Sequence, residues 1–193
     1  MSLHATKPFS TCFPTCPLTT KELELRNRGR KLAEIIIELE ADFNQTLPPT
    51  FVSSYRTRVA ELFEAQLHPM PGAEQTLREL TCPICVASSA PVAKINHALT
   101  LTGLEAYFKG HIYSSYDVGF WKPHPGLFLH AAASMGFQPQ DCAVVDDSEV
   151  GVEAALAAGM MAYQLIPGGG DLEPGAVRPS NLMDVLKLFP PAV

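Results

Sequence analysis

Three short stretches of this chain carry residues whose types and spacing could do chemistry. Ser88-Ser89 precedes Ala90-Pro91 and an apolar helical pattern. A hydroxyl beside the free amides of a helix N-terminus makes an anion site, and phosphate suits it; a plain N-cap serine is the alternative. Lys122 stands in Gly119-Phe-Trp-Lys-Pro-His-Pro125. Two prolines stiffen the backbone around a single cation, which suits fixing one charge over an anion; a solvated surface lysine is the alternative. Asp146-Asp147 follow the apolar run Cys142-Ala-Val-Val145. Adjacent carboxylates at the end of a buried strand repel one another and call for a counter-ion, for which a hard divalent cation such as Mg²⁺ is suited. Alternatively, one acid serves the next helix through Ser148.

The elements that must position these residues alternate along the second part of the chain. Short apolar strands are predicted over 84–87, 111–114, 142–145 and 161–166. Helical patterns cover 72–80, 92–101, 126–135 and 149–158, and a terminal helix is expected over 181–188. Strands separated by helices of about 10–15 residues indicate a parallel α/β sheet. In such sheets ligands bind beyond the carboxyl ends of the strands, which is where all three stretches fall.

The first part of the chain reads differently. Residues 1–17 are rich in Pro, Thr, Ser and Cys and show no period. Thr19 with Glu22 makes a capping-box pattern, and helical periodicity runs to about residue 42 with Leu32, Ile35, Ile36 and Leu39 on one face. Gly29 leaves open whether this is one helix or two. Pro48-Pro49 breaks the chain, and a second helix over 50–66 presents Val52, Tyr55, Val59, Leu62 and Phe63. The organisation expected is an irregular segment 1–17, a helical module 18–70 and an α/β part 71–193.

Composition narrows the function classes. A chain of 193 residues with 47% hydrophobic residues can bury a core and is too apolar for a disordered one. With 14 Lys+Arg against 20 Asp+Glu, the net charge of −6 argues against nucleic-acid or anionic-membrane partners. Apolar runs of about 18 residues are absent from the sequence, so no membrane span is expected. An odd set of cysteines (Cys12, Cys16, Cys82, Cys85, Cys142) indicates a reducing compartment, and a cytoplasmic location is expected. The residues six positions after these cysteines are Leu18, Glu22, Ser88, Pro91 and Ser148, never Arg, which excludes a cysteine-phosphatase loop. Gly-x-Ser-x-Gly is also absent, so there is no serine-hydrolase elbow. A rival reading takes Cys82-Pro-Ile-Cys85 as a redox pair, or with Cys12 and Cys16 as a four-thiolate zinc site. Against it, Cys85 falls in an apolar strand, and the two cysteine pairs would have to converge from unrelated segments.

In order and spacing, Ser88, Lys122-Pro123 and Val144-Val-Asp-Asp-Ser148, followed by Gly151 and Ala157-Ala-Gly-Met160, resemble motifs II, III and IV of the haloacid-dehalogenase (HAD) superfamily. The wording Cys85-Val-Ala-Ser-Ser-Ala-Pro91, and Ser115-Tyr-Asp-Val118 with Trp121-Lys-Pro123, is similar to its phosphatase branch with a small helical cap. The resemblance runs from about residue 18 to the C-terminus. It implies a three-layer Rossmann-like parallel-sheet core with a partial N-terminal helical cap, and Mg²⁺-dependent hydrolysis of a small phosphomonoester through an aspartyl-phosphate. Carried over by position, Ser88 with Ser89 binds phosphate, and Lys122 neutralises it and the nucleophile. Asp147 is the direct Mg²⁺ ligand, with Asp146 acting behind it or through water. Arg28-Gly-Arg-Lys31 falls where the family's cap reaches substrate, and cations there (Arg28, Lys31) would suit a sugar-acid phosphate such as 6-phosphogluconate; a solvated turn is the alternative. The partner implied is a small phosphorylated metabolite acting on a monomer, with no nucleic acid and no membrane.

One departure stands out. The family's first motif, an apolar strand running into Asp-x-Asp-Gly-Thr, is absent: no Asp precedes Asp42, and no Asp-x-Asp occurs anywhere. The resemblance implies that the chain joins the family midway through the cap and lacks the first strand, which is central to the family's sheet. Its two neighbours should then stand without a partner between them. Pro8, Pro14 and Pro17 make residues 1–17 a poor substitute. An incomplete reading of the gene is the expectation, and phosphoryl transfer by the family route should fail in the chain as written. The alternative is a site that binds phosphate esters without turnover.

Overall fold

In the computed structural model, the residues described are 19, 22, 23, 27, 29–166 and 171–188. They divide into two compact units between His68 and Pro69.

Capping and one glycine shape the first unit. The Glu22 carboxylate accepts the Thr19 N–H at 2.7 Å, and the Thr19 hydroxyl accepts the Glu22 N–H at 3.2 Å. Gly29 has φ 77, a left-handed conformation that no α-helix continues through, so α1 starts only at Leu32 and runs Leu32–Phe43. Asn44 at φ 47 ends it, and α2 (Phe51–Gln66) follows the prolines. Ile35 and Leu39 bury against Leu23, Leu47 and Phe51, and Phe51 stacks on Tyr55. Among the cations of the turn, Arg30 grips both carboxylate oxygens of Glu38. Lys31 takes the N-cap position of α1 without a side-chain cap bond, and Arg28 lies outside the described residues.

The second unit is parallel α/β, as the alternation of periods requires. Its elements are α3 (Ala73–Glu79), β1 (Val86–Ser88), α4 (Val92–Thr102), α5 (Glu105–Phe108), β2 (Ile112–Ser114), α6 (Ser115–Val118), α7 (Gly126–Met135), β3 (Ala143–Asp146), α8 (Glu149–Ala157) and β4 (Met161–Gln164). β1 pairs with β2 in the register Val86 to Ile112 and Ser88 to Ser114; β3 pairs with β4 from Ala143 opposite Met161 to Asp146 opposite Gln164. Among the described residues these are two separate two-stranded ladders, with no strand joining β1 to β3.

Hydrogen-bond parity shows which edges face outward. The Val86 N–H donates to the His111 carbonyl, so Val86 and Ser88 turn their backbone groups toward β2 and Ala87 turns away. Met161 and Leu165 donate to the carbonyls of Cys142 and Asp146, so Ala143 and Val145 likewise turn away from β4. Val145 is 37% exposed, unusual for a strand in a helix-covered parallel sheet.

Helices tie the two ladders together. α7 packs on β1, β2 and α8, while α8 lies on β3 and β4. One apolar cluster (Phe128, Ala132, Val152, Ala154, Ala155, Ala158, Met160 and Ala162) has Ala87 of β1 and Val144 of β3 packed against it. The run of alanines on α8 lets the helix backbone lie close to its strands.

Three sequence expectations change. The terminal segment 181–188 is not an α-helix but a 3₁₀ run, Leu182–Leu188. The Asp184 carboxylate accepts the N–H groups of Ser180 and Asn181, and the Asp184 N–H bonds three residues back to the Asn181 carbonyl, which tightens the turn. The strands expected over 84–87 and 142–145 each end one residue later, so Ser88 and Asp146 belong to strands. The short helices α5 and α6 lay below what periodicity can detect. Among the described residues no helix is long and apolar enough to cross a membrane.

Candidate active site

The turn from β3 into α8 is built around one carboxylate. Ser148 is the N-cap of α8: its hydroxyl accepts the Gly151 N–H at 3.1 Å and donates to Asp146 Oδ1 at 2.6 Å. The Ser148 N–H donates to the same oxygen at 2.9 Å. Lys122 Nζ donates to the other oxygen, Oδ2, at 2.5 Å, and lies 5.0 Å from the centre of the Phe128 ring. The Lys122 and Asp146 side chains are only 7% and 11% exposed, so the pair is little screened by water. Burial alone would push the Asp146 carboxyl up. The Lys122 charge and hydrogen bond, with the two hydrogen bonds from Ser148, outweigh it and hold the group below the usual carboxylate range.

The end of β1 is built from neutral groups. Ser88 lies opposite Ser114, and its hydroxyl accepts the Ala90 N–H at 3.2 Å. Pro91, not a serine, holds the N-cap position of α4, so Ser88 closes a tight turn rather than capping the helix. The Ser114 hydroxyl donates to the Ala90 carbonyl at 2.7 Å and accepts the Tyr116 N–H at 3.1 Å, which ties the end of β2 to the same turn. The hydroxyls of Ser89 and Ser115 are buried without a partner among the described residues. A buried hydroxyl left unbonded is costly, so both have capacity for a ligand oxygen or a water. From the sequence, Ser114 and Ser115 receive no site role, although Ser115 opens one of the stretches that carry the family resemblance. The available signal was a second Ser-Ser pair at a strand end, matching Ser88-Ser89.

The structure therefore brings Lys122 and Asp146 together directly, with Asp147 next in the chain. Ser88 and Ser89 stand at the carboxyl end of the other ladder of the same unit, and Lys31 belongs to the first unit. For Asp146, the counter-ion that the paired acids call for is an ammonium of this chain.

Carboxylate oxygens are the donors a hard cation takes, and Mg²⁺ is commonly held by one or two carboxylates with waters and phosphate oxygens. Asp146 already accepts three hydrogen bonds, which leaves its oxygens little capacity for a cation. The acid pair supplies oxygen donors of the type this ion takes, with waters and phosphate oxygens left to complete the set. Among the described residues no group of three or more His, Cys, Asp and Glu side chains could hold a metal. Cys82, Cys85 and Cys142 are free thiols, and burial, with Cys142 nearby, pushes the Cys85 thiol up to about 11. A thiol protonated at neutral pH is a poor nucleophile, which weighs against the redox reading; Cys12 and Cys16 lie outside the described residues.

In sequence and in fold the chain is similar to known proteins. The chain is 36% identical over 147 residues to 6-phosphogluconate phosphatase of Escherichia coli K12, a match covering 76% of this chain and 66% of that one. It is 31% identical to the fructose-1-phosphate phosphatase of the same organism over 137 residues, 70% of this chain and 71% of that one. Among solved structures, a haloacid dehalogenase-like protein from Agrobacterium tumefaciens superposes with a TM-score of 0.79 at 28% identity, covering 96% of this chain and 90% of that one. A HAD family hydrolase from Deinococcus radiodurans, solved with bound phosphate and sodium, superposes with a TM-score of 0.73 at 26% identity, covering 96% and 87%. The profile of the haloacid dehalogenase-like hydrolases matches residues 18–159, which take in both ladders except the C-terminal strand β4, and all of Ser88, Lys122 and Asp146-Asp147. With the family match over residues 18–159 and the parallel fold agreeing, the chain belongs to the haloacid dehalogenase-like hydrolase family.

Proposed function

We propose that this site serves Mg²⁺-dependent hydrolysis of a small phosphomonoester, a sugar phosphate or sugar-acid phosphate with 6-phosphogluconate the first candidate. The observation that carries the reading is the Lys122 ammonium held between the Asp146 carboxylate and the Phe128 ring at the end of β3. A cation so fixed can neutralise phosphoryl oxygens without rearranging, the condition under which electrostatic stabilisation is strongest. Ser88 and Ser89 would bind the phosphoryl oxygens, Asp147 would hold Mg²⁺ and Asp146 would keep Lys122 in place. When bound, Mg²⁺ would withdraw charge from the phosphoryl group. The phosphatase names of the relatives supply the substrate class, and Arg28 and Lys31 are the proposed contacts to a sugar-acid carboxylate.

A second reading is favoured by a specific observation: the sequence offers no Asp-x-Asp, so no covalent step is assigned to a residue of this chain. On that reading the 193 residues bind phosphate esters without turnover. Incubating the purified chain with 6-phosphogluconate or fructose 1-phosphate, with MgCl₂ or with EDTA, separates the two. Mg²⁺-dependent phosphate release supports hydrolysis. Thermal stabilisation by the esters without release, and none by gluconate, supports binding alone. Neither release nor stabilisation would overturn both.

A further inference from the structure

We propose that Gly151 is a positioning residue for the Lys122–Asp146 pair, and that it acts by having no side chain. Gly151 is buried in the first turn of α8, and its backbone is not left-handed, so nothing in its conformation demands glycine. A Cβ built there would fall within the van der Waals envelope of Asp146 Cγ, Oδ1 and Oδ2, the three nearest atoms it would meet. Five other glycines of this unit show the opposite pattern. Gly103, Gly110, Gly119, Gly136 and Gly159 have positive φ and open space where a Cβ would go, so they are glycine for the backbone's sake.

The Asp146 carboxylate fills the volume a side chain at 151 would take, and it has little freedom to yield. Oδ1 is held by the N–H and O–H of Ser148, Oδ2 by Lys122, and an aspartate has only two side-chain torsions with which to move away. Any side chain at 151 must therefore break the Ser148 bonds, the Lys122 ion pair or both. Lys122 would then lose the group that fixes its ammonium. That this matters to a phosphate ligand rests on the proposed function; that Gly151 makes room for Asp146 does not.

The test is a double-mutant cycle on the full chain with Gly151→Ala, Asp146→Ala and the double variant, read by thermal unfolding and by calorimetric titration with inorganic phosphate. In the parent chain Gly151→Ala is expected to lower the unfolding midpoint by about 5 °C or more, because it disrupts a buried ion pair. In the Asp146→Ala background the same change is expected to raise the midpoint by about 1–4 °C, since alanine is the better helix former once the carboxylate is gone. That reversal of sign is the signature. A loss of similar size in both backgrounds, or no loss in the parent chain, overturns the proposal. A Gly151→Ala chain too unstable to purify, rescued by Asp146→Ala, is the same reversal in stronger form. In the phosphate arm, Gly151→Ala and Asp146→Ala each weaken binding by about tenfold, and the double variant no further. A parent chain that binds no phosphate counts against the phosphate reading alone, and the sign of the thermal shifts still decides Gly151.

Discussion

The two strand ladders of the second unit hold the residues at their carboxyl ends by different physics. At the end of β3 the work is done by charge: Asp146 accepts from Lys122 and twice from Ser148, and every one of these partners comes from the chain itself. Beneath it α8 is tightly packed, with Val152 1% exposed and Ala154 and Ala155 at 0%. At the end of β1 the groups are neutral hydroxyls. Ser88 and Ser114 are engaged with the backbone, whereas Ser89 and Ser115 are buried with nothing to bond among the described residues. The difference teaches how such a site divides its labour. The acidic end is organised before any ligand arrives, and the serine end keeps hydrogen-bonding capacity that only a guest or a water would use.

The largest way to break this comparison is Lys122→Met. It leaves the Asp146 carboxylate buried without its cation and is expected to cost about 3–5 kcal/mol in urea unfolding. The sign with pH follows from the lowered Asp146 value. The stabilisation it confers is complete above the unfolded carboxyl value of about 3.9 and is lost as pH falls through the lower folded value. Without the Lys122 charge and hydrogen bond that lower the Asp146 value, this acid-side loss should shrink, and burial left unopposed would reverse it. A cost below about 1 kcal/mol would place the pair among ordinary screened surface ion pairs.

A smaller effect sharpens the contrast between bonded and unbonded serines. Ser148→Ala removes a helix cap and is expected to cost about 1–2 kcal/mol. Ser115→Ala, although its residue is fully buried, should be neutral within about 0.5 kcal/mol or slightly stabilising, because the hydroxyl it removes has no partner among the described residues. Equal costs at the two positions would show that the serine end is as fully bonded as the acidic one.

The smallest effect is local and kinetic. Amide hydrogen exchange should be faster at Ala87 and Val145, whose backbone groups turn away from their ladders, than at Val86 and Val144 beside them. Equal protection along β1 and β3 would mean that their outer edges are covered.

Much of this was legible in the chain because it rests on local rules. The period of Val92 to Leu101, the glycine after Met135 and the Thr19–Glu22 capping box each depend on near neighbours, and each element lies where those neighbours put it. Where local rules compete, the reading slipped. The segment ending at Leu188 has a helical pattern, but the Asp184 carboxylate draws the preceding amides into a 3₁₀ turn. Ser88 reads in sequence as the residue just past a strand and is in space its last residue, because its ladder partner Ser114 extends β1 by one position.

By itself, then, the sequence determined the class of fold, the order of the motifs and the chemical types present at the strand ends, since these follow from residue period and residue identity. Only the tertiary structure decided that Asp146, 24 residues from Lys122, takes that ammonium as its counter-ion, and that the carboxylate rests in the space left by Gly151. Such pairings depend on which backbones are brought close, and a sheet with its covering helices fixes that through contacts far apart in the chain, where no local pattern reaches.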